Sequence, residues 1–246
     1  MVVQTETRKP IRVLLIGFRA VMQEGLCAIM AKDPGVEFAG GDITDAEQAV
    51  LEMKRLASRG SPVDVVLVPT RASALDGVQT TQLVKDNFPD AAVLVFTDQD
   101  NDSHVIDAIH AGAGGFIFMT DMSAKTLLQS IHRVTEGGTQ MKTALLRNAV
   151  DALIQNGRKT LAERTAEAAH LTVREVDVLR LMGNGDSNKV IADTLGITLD
   201  TAKKHVSNVI AKLQARSRTH AAIIAAQAGI VGNTPLQAQL EPALPA

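Results

Sequence analysis

Residues 171–218 read LTVREVDVLRLMGNGDSNKVIADTLGITLDTAKKHVSNVIAKLQARSR. Helix start signals recur in this stretch, because Thr172 with Glu175 matches a capping box and Ser187 and Thr198 are good N-cap residues. The pattern predicts three helices, with Gly183-Asn184-Gly185 and Gly196 as the stops between them. One face of the third predicted helix is apolar: Ala202, Val206, Val209 and Leu213. The stretch is therefore predicted to be a small all-helical module with its own core.

The opposite face of the third predicted helix carries two adjacent cations, Lys203 and Lys204, with Ser207 beside them and Asn208 at the edge. Two cations near a helix N-terminus interact unfavourably with the helix dipole, so they are not placed there to stabilise the helix. They are explained if this end of the helix enters a DNA groove lined by phosphates and purine acceptors. A solvated basic face is the alternative, and the two charges alone do not separate the readings.

The order and spacing of these signals over residues 171–226 resemble the LuxR-type helix-turn-helix. The resemblance implies that the third helix enters the major groove, with bases faced by Lys203, Lys204 and Ser207. It also implies candidates for phosphate contacts that fix the register: Asn188, Lys189, Thr201, Asn208, Arg216 and Arg218.

A fourth helix is predicted over Thr219–Ala228, and the resemblance implies that this helix pairs two copies of the chain. Its small and apolar residues permit close approach: Ala221, Ala222, Ile224, Ala225 and Ala228. We therefore expect a homodimer that binds double-stranded DNA at a two-fold operator.

Charge is unevenly distributed along the chain, although the net charge is only -2. Residues 11–138 hold 10 Lys/Arg and 17 Asp/Glu, whereas residues 171–218 hold 8 Lys/Arg and 5 Asp/Glu. An acidic N-terminal part and a basic C-terminal part are typical of a chain in which one module repels nucleic acid and a second module attracts it.

The first half alternates short apolar runs with helical patterns. Continuous β-branched runs indicate strands buried on both faces, and five strand–helix units in succession predict a doubly wound parallel α/β sheet. The predicted strands are Ile11–Ile16, Val36–Gly40, Val63–Val68, Ala92–Phe96 and Gly115–Phe118. The predicted helices cover 20–32, 46–58, 78–87, 102–111 and 123–135.

This pattern, with Asp76-Gly77 after the third strand and Ala111-Gly-Ala-Gly-Gly-Phe-Ile-Phe118 before the fifth helix, resembles a flavodoxin-like, CheY-type receiver domain. With the C-terminal match, residues 11–231 resemble a NarL/FixJ-type response regulator, a member of two-component systems. The implied domains are a receiver over 10–138, a helical connector over 139–166, a helix-turn-helix domain over 167–231 and a disordered tail over 232–246. Within the connector, Met141–Ile154 is predicted to be helical and Gln155–Thr160 is the best linker candidate.

Receivers of this family hold Mg²⁺ with acidic residues and phosphorylate an aspartate at the carboxyl ends of the strands. Here Gly17 and Phe18 replace the acidic pair, Pro69 replaces the aspartate and Met119 replaces a lysine, while Thr97 matches. The resemblance therefore predicts a degenerate receiver that is not phosphorylated by the usual route. Three roles stay open for it: a fixed dimerisation unit, a small-molecule sensor at this apolar pocket, or a docking surface for a partner protein.

Other classes of function find little support in the sequence. Cys27 is the single cysteine, the six His have no metal-ligand spacing, and no Walker loop, nucleophile elbow or dinucleotide fingerprint is present. We therefore expect no enzyme activity, no cofactor and no metal. No signal peptide or membrane span is visible, which predicts a cytoplasmic protein that does not contact membranes. The leading interpretation is a DNA-binding transcription regulator, and the alternative is an adaptor that binds a protein or a ligand instead of DNA.

Overall fold

A five-stranded parallel sheet forms the centre of the first domain in the computed structural model, which describes residues 9–72, 75–98, 103–138, 171–227 and 230. In chain order the strands are β1 (Ile11–Ile16), β2 (Val36–Ile43), β3 (Val65–Pro69), β4 (Arg71–Ala72), β5 (Leu75–Asp76), β6 (Ala92–Thr97) and β7 (Gly115–Phe118). The sheet order is β2-β1-β3-β6-β7 with every neighbouring pair parallel. The predicted doubly wound α/β fold is confirmed.

Helices cover both faces of this sheet. They are α1 (Ala20–Met30), α2 (Ala46–Ser58), α3 (Gly77–Asn87), α4 (Ser103–Ala111) and α5 (Ala124–Thr135), with a 3-10 turn over Met119–Asp121. The α1 and α5 helices pack on one face, and α2, α3 and α4 pack on the other. Strand residues are buried on both faces, which explains why the strands appear in the sequence as continuous apolar runs.

Two local features differ from the sequence prediction. Strand β2 continues past Gly40 to Ile43, and its register with β1 shifts twice, so the glycines that appeared to end the strand mark an irregularity instead. The second feature is a short antiparallel hairpin, β4 with β5, between the third sheet strand and α3. Two-residue strands carry no periodicity, so the hairpin had no sequence signal.

The second domain contains the expected helices: α6 (Val173–Gly183), α7 (Asn188–Leu195), α8 (Leu199–Lys212) and α9 (Arg218–Gln227). The capping box of Thr172 and Glu175 is present, and the side chains of Ser187 and Thr198 cap α7 and α8. Gly196 ends α7 with φ of 63°, a left-handed conformation that favours glycine. The core contains the predicted stripe of α8: Ala202, Val206, Val209 and Leu213.

Several predictions lie outside the described residues. These are the connector over 139–166 with its helix and linker, the first residues of the helix-turn-helix domain up to 170, and the tail over 232–246.

The two domains pack directly against each other through the start of α9. Ser217 Oγ donates to the carbonyl oxygen of Ala113 at 3.1 Å, and Thr219 Oγ1 donates to that of Gly114 at 2.9 Å. Both hydroxyls are buried, and Ile223 inserts into the hydrophobic cluster of the receiver. Two buried hydrogen bonds and one apolar anchor therefore hold the turn between α4 and β7 to the helical domain.

This packing limits access to α9, the helix that the sequence predicts to pair two copies of the chain. Ala221, Ile224 and Ala225 are buried in the core of the helical domain, and Ile223 is buried against the receiver. A second copy can reach the receiver-facing side of α9 only after the domains separate.

Gly112 lies where the turn after α4 meets the helical domain. Its φ is +110°, and a Cβ at this position would lie 2.8 Å from Lys85 Cγ and 3.2 Å from the carbonyl oxygen of Arg216. A larger residue would therefore be both strained and crowded. The glycine lets the turn after α4 touch Lys85 and the helical domain at the same time.

Lys85 is largely buried at the end of α3. Its Nζ donates to the carbonyl oxygens of Pro89 and Ala91, the latter at 3.0 Å. Burial lowers the pKa of Lys85 to about 8, and the charge of Asp90 opposes this shift only in part. Lys85 is therefore a desolvated cation at neutral pH whose charged form the fold disfavours.

The buried Lys85 predicts a pH dependence of stability. The pKa of about 8 in the folded chain lies below the ordinary 10.5, so the unfolded chain holds more protons between these pH values. The free energy of unfolding should therefore rise as the pH increases across this window, by up to about 3 kcal/mol. Urea unfolding at several pH values should show that Lys85→Met removes this slope. The exposed control Lys54→Met should keep the pH dependence of the free energy of unfolding. A slope unchanged by Lys85→Met would show that burial of Lys85 does not cause it.

The two hydroxyls at the domain contact give a second prediction. Ser217→Ala with Thr219→Val leaves the carbonyl groups of Ala113 and Gly114 without these donors, at a cost of about 1–3 kcal/mol for each buried group. The domains should separate more often, and small-angle scattering should show a larger radius of gyration. The control Ser58→Ala with Thr194→Val changes exposed helix residues and should keep the wild-type radius. Equal radii for both variants would show that the hydroxyls do not hold the domains together.

Candidate nucleic-acid interface

The outward face of α8 is polar and exposed in its first three turns. Lys203, Lys204, Ser207 and Asn208 are all exposed, while Ala202, Val206 and Val209 on the opposite face are buried. The helix therefore presents the side chains that the sequence analysis assigned to bases, on a backbone fixed by its buried side.

The start of α8 is fixed by hydrogen bonds of threonine side chains. Thr198 Oγ1 accepts a hydrogen bond from the Thr201 amide at 3.2 Å, and the two hydroxyls lie 2.8 Å apart. Thr201 is only half-buried, so its other side remains accessible. This arrangement places Thr201, a candidate for phosphate contact, next to the lysines that are predicted to face bases.

The end of α8 is anchored by an ion pair that the sequence analysis missed. Lys212 Nζ donates to Glu175 Oε2 at 2.7 Å, and the same oxygen accepts from the amide and the hydroxyl of Thr172. These contacts hold the pKa of Glu175 below its ordinary value, and the hydrogen bond from Lys212 makes the largest contribution. Glu175 was recognised only as a capping-box residue, and nothing in the sequence indicated its pairing 37 residues away.

Three of the predicted phosphate-contact residues are engaged at the domain contact. Arg216 Nη1 lies 3.0 Å from Asp86 Oδ1 of the receiver. The backbone amide of Asn188 donates to the carbonyl oxygen of Glu136 at 3.3 Å, and Asn188 Oδ1 accepts from Arg218 Nη1 at 3.1 Å. The guanidinium of Arg218 is buried, and it also donates to the backbone carbonyl of Asp186.

The candidate interface is thus divided into two sets of residues. Lys189, Lys203, Lys204, Ser207 and Asn208 are exposed. The remaining arginine and asparagine candidates, Asn188, Arg216 and Arg218, contact the receiver or each other in the packed arrangement.

At the carboxyl ends of the sheet strands, apolar side chains occupy the place of the receiver pocket. The rings of Phe18 and Phe96 meet edge to face with their centroids 5.2 Å apart. Phe18 and Met119 both pack against the hydrophobic cluster under α1 and α5, and Thr97 is buried. Gly17 precedes this group, and its amide donates to the carbonyl oxygen of Ile43 at 2.8 Å.

Pro69 is the last residue of β3 and lies beside Phe96 in the sheet register. The next residue, Thr70, donates through both its amide and its hydroxyl to the carbonyl oxygen of Phe96, at 2.7 and 3.1 Å. A Cβ on Gly77 would lie 2.3 Å from the carbonyl oxygen of Pro69, so only glycine fits where α3 begins. This edge of the sheet is therefore closely packed around backbone groups.

Metal ligands do not cluster in the described part of the chain, where no group of three His, Cys, Asp or Glu side chains is placed to hold an ion. In the same residues no helix is both long enough and apolar enough to cross a membrane.

Comparison with known families identifies the second domain. The family described as "Bacterial regulatory proteins, luxR family" matches residues 169–225. This range includes α6 to α8 and most of α9.

Comparison with curated proteins extends the similarity to both domains. Transcriptional regulatory protein DegU of Brevibacillus brevis is 30% identical over 227 residues, covering 87% of this chain and 92% of DegU. LiaR of Bacillus subtilis is 30% identical, covering 87% of this chain and 96% of LiaR. The nitrate/nitrite response regulator protein NarL of Escherichia coli is 27% identical, covering 88% and 95%. The chain therefore belongs to the LuxR-type transcriptional response regulators, the family of DegU and LiaR.

Proposed function

We propose that this regulator reads a specific DNA sequence with Lys203, Lys204 and Ser207, and that its receiver is not phosphorylated by the usual aspartate and Mg²⁺ route. The observation that carries the first part is the exposed polar face of α8 over a buried apolar face. An exposed helix face with adjacent lysines at its N-terminal end fits the major groove, where lysine donates to guanine acceptors.

We further propose that full DNA contact requires the two domains to separate. Arg216 is paired with Asp86, and the backbone amide of Asn188 is bonded to Glu136, so the packed receiver lies against both candidates for phosphate contact. Separation also uncovers α9, which then becomes available for pairing two copies on a two-fold operator. In this proposal the acidic receiver packs against residues of the helical domain that DNA would otherwise contact.

The proposal for the receiver rests on the residues at its strand ends. Proline offers neither a nucleophilic side chain nor a backbone N–H, and Phe18 contributes no oxygen ligand for Mg²⁺. The edge-to-face contact of Phe18 with Phe96 favours a pocket filled by side chains over one that holds a phosphoryl group. A partner protein or ligand that acts on the receiver remains compatible with this arrangement.

Replacing both groove-facing lysines should weaken specific DNA binding. Lys203→Ala with Lys204→Ala removes two cations, at a cost of about 1–3 kcal/mol for each base contact, and should lower the salt dependence of binding. The measurement is selection of genomic fragments by purified protein, followed by affinity at several salt concentrations. The control Lys54→Ala with Lys125→Ala removes two exposed receiver lysines and should bind as the wild type does.

Two outcomes of that experiment would overturn the assignment. Wild-type affinity in the Lys203→Ala, Lys204→Ala variant would show that α8 does not read the bases. Failure of every variant to select any sequence, even with the domain contact broken by Ser217→Ala and Thr219→Val, would favour the adaptor function.

Incubation with acetyl phosphate and Mg²⁺ should leave the receiver unlabelled, because the side chain of Pro69 has no oxygen to accept the phosphoryl group. Mass spectrometry of the intact protein checks this result. A stoichiometric mass increase that survives Pro69→Ala but disappears with Thr70→Val would identify a different acceptor and contradict the proposal.

A further inference from the structure

A cleft of about 440 Å³ lies between the two domains. The receiver contributes the end of α3, the turn before β7 and the end of α5, while the helical domain contributes the last turns of α8 and the start of α9. This volume lies in the range of small-molecule sites, and such sites occur preferentially at domain interfaces. The cleft is separate from the carboxyl ends of the strands, where phosphorylation occurs in the family.

Two cations line this cleft, one from each domain: Arg218 is buried and Lys85 is largely buried. Arg218 is 9% exposed, and its Nε has no hydrogen-bond partner, although its other nitrogens are bonded to Asn188 and Asp186. Lys85 donates only to backbone carbonyls. A buried guanidinium with an unused donor costs free energy unless a further group binds it.

The acidic residues of the cleft do not cancel these charges. Asp86 is exposed and already paired with Arg216, and Asp90, whose charge acts on Lys85, is also exposed. Arg218 bonds to the backbone carbonyl of Asp186, and the charge of Asp186 opposes the effect of burial only in part, since the pKa of Arg218 is still lowered to about 10. Exposed carboxylates are screened by solvent more strongly than buried cations are, so the interior of the cleft favours an anion.

We propose that this cleft binds a small phosphate-bearing metabolite, with its phosphate held between Arg218 and Lys85. A phosphate monoester carries close to two negative charges at neutral pH, which matches two cations, whereas a simple carboxylate matches only one. Arginine and lysine are both established phosphate-binding residues. The apolar walls formed by Val93, Val134 and Ile210 leave room for an organic group beside the phosphate.

Such a ligand would act on the domain arrangement. Because Lys85 and Arg218 belong to different domains, the ligand binds only the packed form and shifts the equilibrium toward it. Since Arg218 is also a candidate for contact with a DNA phosphate, the ligand and DNA would oppose each other reciprocally. This regulatory consequence rests on the proposed function, but the binding site itself does not.

The test is calorimetric titration of the full-length protein with inorganic phosphate and with ribose 5-phosphate, at ionic strength held constant with KCl. We expect saturable binding that is tighter for ribose 5-phosphate, because only the sugar contacts the walls. Lys85→Gln should weaken it by at least about tenfold. Binding should be retained in Lys85→Arg, which keeps the charge, and in the exposed control Lys54→Gln.

Absence of saturable binding, or equal binding by Lys85→Gln, would overturn the proposed site. A second measurement tests regulation: ribose 5-phosphate should weaken DNA binding of the wild type but not of Lys85→Gln. Saturable ligand binding without this effect would overturn the regulatory role. A protein that binds ligand but no DNA would leave the site supported and contradict the proposed function instead, so the two failures are distinguishable.

Discussion

The contact on which this structure depends is the pair of hydroxyl–carbonyl hydrogen bonds from Ser217 and Thr219 to the turn before β7. These bonds fix the start of α9 against the receiver, and Ile223 then fills a position in the receiver core. This placement bears on the other contacts of the domain interface. It brings Arg216 to Asp86, buries the guanidinium of Arg218 and creates the cleft that Lys85 lines.

The first domain has the geometry of a receiver fold, and apolar side chains lie at the carboxyl ends of its strands. A doubly wound sheet brings the carboxyl ends of its strands to one edge, whatever side chains follow them. At that edge Phe18 packs on Phe96, and Pro69 ends its strand beside the same residue. This apolar edge supports the proposal that control acts through the domain interface and not through phosphorylation.

Local features could be predicted from the sequence because they depend on neighbouring residues. The caps at Thr172, Ser187 and Thr198, and the burial of one face of α8, follow from spacing within a few residues. The domain contacts could not be predicted, because they join residues 104, 105 and 130 positions apart without any motif. Nothing in the sequence around Ser217 and Arg216 distinguishes them from residues of a solvated turn. Their contacts with the receiver therefore become visible only in the folded structure.

The central claim is that DNA binding and domain packing compete for the same residues. Amide hydrogen exchange of the full-length protein, with and without a DNA fragment that it selects, tests this claim directly. The account predicts that DNA slows exchange in α8 and accelerates exchange in the receiver segments over residues 110–116 and 134–138, which lose their cover. Slower exchange in α8 with unchanged or slower exchange in those receiver segments would show that the packed form binds DNA, and would contradict the account.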